Sequence, residues 1–540
     1  MGIVGYTRFP SGEVDIGGVL LGHAHPVRVQ SMTNTPTEDV KATVEQCLKA
    51  FDAGADYMRI SVPDNASLES LKRIRAQLNQ SGCKKPLIAD IHFRAELAME
   101  AAKIVEKVRI NPGNYTPQKA RKKTWTRADQ QEELEMVRSR LSPLVRICKD
   151  YGTAIRVGTN SGSLSPRIIN WYGHTPEALA ESAMEYLHLF NDLAFRSIIV
   201  SLKASNPLTM IASYHLMAGR MLEENLTCPL HTGVTEAGAG ESGRMKSALG
   251  IIPLLQAGIG DTIRVSLTGE PEEEIPFAKE IAARVKSQTH PEFRLPETPP
   301  PPLPGNHKAI VLTSTPAISP DSTRGFRLVE LQRPDDLRGA HTLPPEDRVL
   351  LIVNLDKGFP LEKLTGLQDS IQAAGTEAGI IARTSIPGGS EDRQIIDLCV
   401  KFGSLFLQGK LHGLWINNPG HNRQKALSAK VLRLLQAAGL RFSDTEFIAC
   451  PTCARTSYDL ERVYNMVKDK ASGRPGLKIA VMGCVVNGPG EMAGADYGIL
   501  GAANGSLQVF RRGKAVHKNL DPEAAVNKLL ALVNEGDTDR

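Results

Sequence analysis

The chain has 540 residues, a formal net charge of +5 and a hydrophobic fraction of 41%. This length is too great for one hydrophobic core, so we expect two or three domains. The charge is too small for this length to indicate a nucleic-acid-binding protein, and aromatic residues make up only 5% of the sequence. No apolar run approaches the roughly 18 residues of a membrane span, and the N-terminus lacks the apolar core of a signal peptide. We therefore expect a cytoplasmic protein that binds neither membranes nor nucleic acids.

Short β-branched runs alternate with amphipathic helical stretches from about residue 26 to residue 290. Eight such repeats in ~265 residues match a (β/α)8 TIM barrel, whose usual size is about 250 residues. We therefore predict an α/β protein with a TIM-barrel substrate domain over residues 1–295. The predicted strands are Val27–Ser31, Tyr57–Val62, Leu87–Ile91, Lys107–Ile110, Ala154–Gly158, Ser197–Lys203, Pro229–Val234 and Thr262–Leu267.

Basic side chains recur near the C-terminal ends of these predicted strands, where TIM-barrel active sites lie. Charged side chains are costly inside strands unless they are paired, and the nearby carboxylates of Asp90 and Glu236 are too few to neutralise them. We infer a strongly anionic ligand, for which a diphosphate fits better than one carboxylate. The absence of a P-loop or dinucleotide fingerprint disfavours a nucleotide. The cations are Arg59, Arg109, Arg156, Lys203 and Arg264.

The rest of the chain suggests two further domains. The proline-rich run Pro296–Pro304 is typical of a stiff spacer and marks the end of the barrel. An α/β pattern over residues 305–438 predicts an inserted domain that acts as a spacer. Residues 440–540 predict a C-terminal α+β domain, in which we expect a helix over Thr456–Lys468.

Three of the eight cysteines cluster by motif in this last domain. Cys450 and Cys453 form a CxxC pair, and Cys484 begins a run that ends Val-Val-Asn-Gly-Pro-Gly-Glu at Glu491. This spacing is compatible with a zinc ion that has His517 as fourth ligand, with an iron–sulfur cluster, or with uncoordinated redox thiols. Three thiolates leave a metal centre one ligand short, and a carboxylate ligand is easier to displace from iron than a fourth cysteine. We expect the CxxC pair to open the predicted helix, whose N-terminus would favour thiolates.

The two cysteine motifs resemble those of the 4-hydroxy-3-methylbut-2-en-1-yl diphosphate synthases, enzymes of the non-mevalonate isoprenoid pathway, in their long form with three domains. The resemblance implies a [4Fe–4S] cluster, and the matching ligands are Cys450, Cys453, Cys484 and Glu491. It implies a reductive ring opening and dehydration of 2-C-methyl-D-erythritol 2,4-cyclodiphosphate to 4-hydroxy-3-methylbut-2-enyl diphosphate.

The resemblance also covers the barrel. It implies that the diphosphate of the substrate binds Arg59, Arg109, Arg156, Lys203, Arg264 and Ser266. The polar residues implied to face the rest of the substrate, as candidate catalytic groups, are Asp90, Asn160, His231 and Glu236. Of these, Glu236 is our candidate for proton delivery.

No flavin or nicotinamide fingerprint is present, so the electrons must come from a partner, and the resemblance implies flavodoxin or ferredoxin. Three basic residues that we expect on one surface could contact an acidic donor, although such charges are typical of any solvated helix: Arg455, Arg462 and Lys468. The sequence is compatible both with a site that closes within one chain and with one that closes between the chains of a homodimer.

Two hypotheses without a cluster stay open at this point. One is a TIM-barrel enzyme with a phosphate substrate, similar to a pterin synthase or an aldolase, with a structural zinc domain. The other is a zinc-bearing binding module fused to an inert barrel. The second gives no reason for the cations at the strand ends or for a carboxylate at position 491.

Overall fold

The computed structural model describes residues 8–91, 94–115, 124–286, 309–313, 327–331, 349–373, 378–502 and 505–537. The predicted spacer Pro296–Pro304 lies outside these ranges. The chain divides into two units, one made of Thr7–Ser287 with Asp444–Arg540 and the other of Gln288–Ser443. The domain boundaries drawn from the sequence stay predictions. None of the described helices combines the length and apolarity needed to cross a membrane.

Eight parallel strands form the predicted TIM barrel in the first unit. The sheet order is β8-β7-β6-β5-β4-β3-β10-β9, and a parallel bridge between Val200 and Leu230 joins its two ends. The barrel strands are β3 (Arg28–Met32), β4 (Tyr57–Ser61), β5 (Leu87–Asp90), β6 (Lys107–Ile110), β7 (Ala154–Asn160), β8 (Ile198–Lys203), β9 (His231–Thr232) and β10 (Thr262–Ile263). The last two strands are shorter than the sequence predicted. After β9 the chain turns away from the sheet at Gly233, which has φ +146°.

An antiparallel hairpin, β1 (Val14–Ile16) and β2 (Val19–Leu21), precedes the barrel. The sequence did not predict it. Its apolar side chains are buried against Tyr57 and Ala154, the first residues of β4 and β7. The hairpin therefore closes the N-terminal end of the barrel and leaves the C-terminal end for the site.

Ten helices surround the barrel among the described residues of this part of the chain. Most begin at a residue whose side chain accepts a hydrogen bond from the first turn, for example Asp39, Asp64, Thr175 and Asn206. The helices are α1 (Val40–Asp52), α2 (Asn65–Gln80), α3 (Ala95–Ala101), α4 (Pro112–Tyr115), α5 (Arg127–Tyr151), α6 (Pro166–Tyr172), α7 (Pro176–Asp192), α8 (Pro207–Glu223), α9 (Gly240–Gln256) and α10 (Pro271–Lys286).

The second unit contains a five-stranded parallel sheet, as the predicted α/β insert requires. Its order is β11-β15-β14-β13-β12. The strands are β11 (Ile310–Thr313), β12 (Arg327–Leu331), β13 (Val349–Asn354), β14 (Ala378–Thr384) and β15 (Gly413–Ile416). The helices are α11 (Lys363–Ala373), α12 (Glu391–Leu398), α13 (Ser404–Leu407) and α14 (His421–Ala437).

The C-terminal part of the first unit is a five-stranded α+β sheet. Its order is β16-β17-β18-β19-β20, with β16 to β18 parallel and the last two strands antiparallel. The strands are β16 (Glu446–Ala449), β17 (Lys478–Met482), β18 (Tyr497–Gly501), β19 (Leu507–Arg511) and β20 (Lys514–Leu520). The helices are α15 (Leu460–Ala471), α16 (Gly488–Glu491) and α17 (Pro522–Asp537).

A buried ion cluster fixes the long helix α5 against the barrel. Arg167 on α6 is 1% exposed and contacts Glu133 of α5 at 3.1 Å and Glu185 of α7 at 2.6 Å. The cluster therefore joins three helices beside the loop that follows β7.

Replacing Arg167 by Met should destabilise the first unit by about 3–5 kcal/mol, because two buried carboxylates would lose their counter-ion. Guanidinium unfolding followed by Trp171 fluorescence measures this change. Arg127→Met is the matched control, since the Arg127 guanidinium also lies 5.1 Å from the Trp171 ring but is exposed. Equal effects of the two substitutions would contradict the assignment.

Candidate active site

The C-terminal domain sits on the C-terminal rim of the barrel of the same chain. A parallel bridge joins Ala237, after β9, to Ala449 at the end of β16. The Thr268 hydroxyl donates to the Cys450 carbonyl at 3.1 Å, and Lys246 pairs with Glu446 at 3.4 Å. The site in this structure therefore closes within one chain.

The CxxC pair lies in a loop, so the prediction that it opens a helix is wrong. Helix α15 begins at Leu460 because Asp459 is its N-cap and accepts from the Arg462 amide at 3.0 Å. Thr456 instead closes a turn, since its amide donates to the Cys453 carbonyl at 2.8 Å. The CxxC motif therefore does not form the N-terminus of α15.

One cavity lies between the barrel rim and the cysteine loops. It brings together most of the residues that the sequence singled out. From the barrel these are Arg59, Asp90, Arg109, Arg156, Asn160, Lys203, Glu236, Arg264 and Ser266, and from the C-terminal domain Cys450, Cys453 and Cys484. His231 and Glu491 are buried but do not line this cavity.

The barrel wall of the cavity concentrates positive charge. Burial, with the neighbouring charges of Arg264 and Arg109, lowers the pKa of Arg59 to about 9. Burial and nearby guanidinium groups also hold the pKa of Lys203 well below its ordinary value. Among the described residues, Lys203 Nζ has no hydrogen-bond partner. An anion in the cavity would therefore stabilise the charged forms of these side chains.

Two carboxylates balance part of this charge, and the sequence identified only one of them. Asp90 pairs with Arg109 at 3.1 Å, as its position at the end of β5 suggested. Glu274 on α10 pairs with Arg264 at 3.2 Å and accepts from the Ser31 hydroxyl at 2.6 Å. Glu274 lies 11 residues after the end of β10 at Ile263, so no strand-end rule could find it.

The sequence predicted Arg455 on a solvated surface that could contact an acidic electron donor, but the structure places it inside the site. Its side chain is 15% exposed and lies 3.3 Å from Asp90 and 2.5 Å from the Ser61 hydroxyl. Although burial opposes it, the negative charge of Cys453, Asp90 and Cys484 raises the pKa of Arg455 above its ordinary value. Its position directly after the CxxC motif was the signal that sequence reasoning passed over.

Glu236 and His231 differ in their access to the cavity. Burial and the nearby charge of Glu491 raise the pKa of Glu236 to about 8, so its carboxyl group is mostly protonated at neutral pH. His231 is fully buried on β9, and its Nδ1 lies 2.7 Å from the Thr262 hydroxyl. Glu236 therefore lies on the cavity wall, and His231 is buried behind that wall.

The three thiols line the same cavity. Burial and the proximity of Cys453 and Cys484 raise the pKa of Cys450, and burial and Cys453 raise that of Cys484. Thiols that raise one another's pKa in this way favour a metal centre, because bound metal stabilises the thiolates. Gly483 allows its loop to approach Cys450 closely, since a Cβ at position 483 would lie 3.2 Å from Cys450 Sγ. In the part of the chain that the structure describes, no three His, Cys, Asp or Glu residues are arranged to hold a single metal ion directly.

The zinc hypothesis with His517 does not fit this geometry. His517 lies on β20, the edge strand, paired with Val509. Cys450 and Cys484 follow β16 and β17, so three strand spacings of about 4.8 Å separate His517 from the second cysteine strand.

The sequence profile of the GcpE TIM-barrel domain matches residues 11–279, and that of the GcpE C-terminal domain matches residues 446–535. The chain belongs to the GcpE family. It is 36% identical over 611 aligned residues to the 4-hydroxy-3-methylbut-2-en-1-yl diphosphate synthase (flavodoxin) of Bacteroides fragilis strain ATCC 25285, with 99% of this chain and 96% of that protein covered. Membership supports the synthase hypothesis and not the zinc-bearing alternatives, and it implies a metal cluster.

Further relatives share this name. The synthase (flavodoxin) of Akkermansia muciniphila is 34% identical, with 98% of this chain and 97% of that protein covered. That of Leptospira interrogans is 33% identical, with 99% and 97% covered. A solved structure of dihydropteroate synthase from Xanthomonas albilineans aligns with 52% of this chain at 14% identity and a TM-score of 0.34, a likeness that carries no conclusion.

Replacing Arg455 by Ala should loosen the contact between the cysteine loops and the barrel, because Asp90 would keep only its barrel partners. We expect amide hydrogen exchange in residues 483–490 to become at least tenfold faster. A tenfold change corresponds to a loss of about 1.4 kcal/mol in the stability of this contact. The control is Arg462→Ala, since Arg462 is exposed and pairs only with Glu523 at 3.0 Å among the contacts described. Unchanged exchange in the Arg455 variant would contradict this role.

Proposed function

We propose that this chain converts 2-C-methyl-D-erythritol 2,4-cyclodiphosphate to 4-hydroxy-3-methylbut-2-enyl diphosphate by reductive ring opening and loss of water. The observation that carries the proposal is the single cavity with three thiols on one wall and a set of buried cations on the other. Reduction requires an electron source, and a diphosphate requires cations that replace its hydration. Both requirements meet in this cavity.

The proposed cofactor is a [4Fe–4S] cluster, which supplies electrons to the substrate one at a time when it is bound. Its proposed ligands are Cys450, Cys453, Cys484 and Glu491. The mutual proximity of the three thiols supports this assignment, as does the cavity that they share with the cations.

The barrel cations are proposed to hold the diphosphate and to stabilise the phosphate oxygen that departs when the ring opens. Arg forks match phosphate oxygens in pairs, and the Lys203 ammonium group adds a compact charge. Because Lys203 Nζ has no hydrogen-bond partner among the described residues, a phosphate oxygen would satisfy it. Ser266, on the same wall, supplies a hydroxyl.

Glu236 is proposed to deliver a proton to the product. Its raised pKa keeps the proton on the carboxyl group at neutral pH, which a general acid needs. Asp90 and Asn160 are proposed to orient the substrate, since both line the cavity at strand ends. His231 lies behind this wall, where we propose that it supports the cations.

The proposed electron donor is flavodoxin, because the names of the relatives include flavodoxin. Ferredoxin is the second candidate. The reaction needs an external donor because the sequence has no flavin or nicotinamide fingerprint. We propose that the chain acts in the cytoplasm without membrane or nucleic acid. A homodimer is not needed to complete the site, since one chain supplies both walls of the cavity.

Metal analysis of anaerobically purified protein tests the proposed cofactor directly. We expect about four irons and four sulfides per chain and a brown colour that fades in air. Turnover of the cyclodiphosphate with reduced flavodoxin should then be measurable. One zinc and no iron in such a preparation would overturn the proposal.

Lys203→Ala should weaken binding of the cyclodiphosphate by about 10- to 100-fold, because a buried charge-assisted contact is worth roughly 1.5–3 kcal/mol. Calorimetric titration measures the affinity, and the visible spectrum should stay that of the unmodified enzyme. Cys484→Ser is the complementary variant, which should lose the brown absorbance. If Lys203→Ala bleached the protein as well, its separate role in binding would be refuted.

Glu236→Gln should lower kcat by about 100-fold or more while KM changes little, because the amide keeps the shape but cannot deliver a proton. Steady-state kinetics with a chemical reductant separate the two constants. A rise in KM with unchanged kcat would show instead that Glu236 only positions the substrate.

A further inference from the structure

The Glu491 carboxylate occupies a polar seat that is built entirely by the barrel. It accepts hydrogen bonds from the Ser161 hydroxyl at 2.6 Å and from the Gly162 amide at 3.1 Å, both in the turn after β7. The Ser205 amide, after β8, donates to its other oxygen at 3.2 Å, and the Ser205 side chain also hydrogen-bonds to Glu491. Glu491 is only 5% exposed, so these donors replace water around a buried carboxylate.

The seat is preformed by the barrel backbone. The Asn160 side chain accepts from the Gly162 amide at 2.8 Å and holds the turn in shape. Gly162 also allows α16 to approach, because a Cβ there would lie 2.6 Å from the Asn487 carbonyl oxygen and 2.9 Å from Glu491 Cγ. A site of this kind, with amides and a hydroxyl that converge on one carboxylate, is arranged for an anion.

We propose that this seat is a second binding position for Glu491, which it occupies whenever it is not a ligand of the cluster. The inference rests on the proposed function, in which Glu491 is the cluster ligand most easily displaced. A carboxylate that leaves a metal inside a closed site carries a buried charge, which is costly unless hydrogen bonds stabilise it. The seat supplies those bonds from residues that belong to the substrate domain.

Two consequences follow for substrate binding. Displacement of Glu491 becomes less costly when the barrel rim is in contact with α16, which is also the state in which the cavity is closed. The seat should therefore increase the affinity of the loaded enzyme for its substrate through Glu491, without contact to the substrate. Ser161 and Ser205 are positioning residues in this scheme.

The test compares Ser161→Ala/Ser205→Ala holoenzyme with the unmodified holoenzyme. Calorimetric titration with the cyclodiphosphate under anaerobic conditions should give a Kd about tenfold weaker in the variant, as expected for the loss of a charge-assisted hydrogen bond. The matched control is Ser163→Ala, in the same turn, whose hydroxyl accepts from Asn111 at 2.7 Å instead. It should leave the exchange of the Gly162 and Ser205 amides unchanged.

A double-mutant cycle shows whether the effect passes through Glu491. In a Glu491→Ala background the two serine substitutions should no longer change the Kd, because the carboxylate that they hold is gone. An effect of equal size in both backgrounds would mean that the serines contact the substrate, and would overturn the proposal. So would a double serine variant that binds as tightly as the unmodified enzyme.

Hydrogen exchange tests the seat in the substrate-bound holoenzyme, in which Glu491 is proposed to have left the cluster. There the Gly162 and Ser205 amides should exchange about tenfold faster in Glu491→Ala than in the unmodified protein, in which substrate should slow them. Equal exchange in the two proteins would overturn the seat. Failure of the unmodified holoenzyme to bind the cyclodiphosphate, with these amides still protected by Glu491, would instead overturn the proposed function.

Discussion

The structure depends on several positively charged side chains that lie close together at one end of the barrel. Arg156 and Lys203 are buried and Arg59 is partly buried at one end of the barrel, and burial together with repulsion from neighbouring cations lowers the pKa of each. Such an arrangement opposes folding unless anions compensate it. Asp90 and Glu274 compensate it in part, and the remaining positive charge favours binding of an anion. The same charges that oppose folding of the barrel rim therefore give it affinity for an anion.

Asp90 connects this charge to the cysteine loops. One of its oxygens faces Arg109 from the barrel and the other faces Arg455 from the C-terminal domain. A hydrogen bond and positive charge from Arg455 also reach Cys484, where they oppose the effect of burial on the thiol pKa. The guanidinium group thus lies between a barrel carboxylate and the thiols. A change in charge on either side alters the stability of the contact between the two parts of the site.

The parts of this site that follow from local rules could be predicted from the sequence. Alternation of β-branched and amphipathic runs predicted all eight barrel strands, and the rule that barrel sites lie at strand ends predicted that Arg156 and Lys203 would meet in one cavity. The parts that depend on distant pairing could not. Arg455 resembles any solvated cation until Asp90 is known to lie opposite it, and Glu274 is one of several carboxylates on α10. The start of α15 was predicted too early in the chain. Both Thr456 and Asp459 can cap a helix, and in the structure Asp459 is the N-cap.

Closure within one chain changes what holds the site together. The barrel and the C-terminal sheet form one unit although Gln288–Ser443 separates them in sequence. A covalent connection gives two binding surfaces an effective concentration that can reach the millimolar range, so each contact between them can be weak. Polar bonds are among the described contacts that join them, such as those of Glu491 to Ser161 and of Arg455 to Asp90. Polar contacts of this kind can be broken and remade at low cost, because water replaces each partner when they separate. A site that opens for a ligand and closes around it is served better by such contacts than by an apolar interface, whose separation would expose hydrophobic surface at each opening.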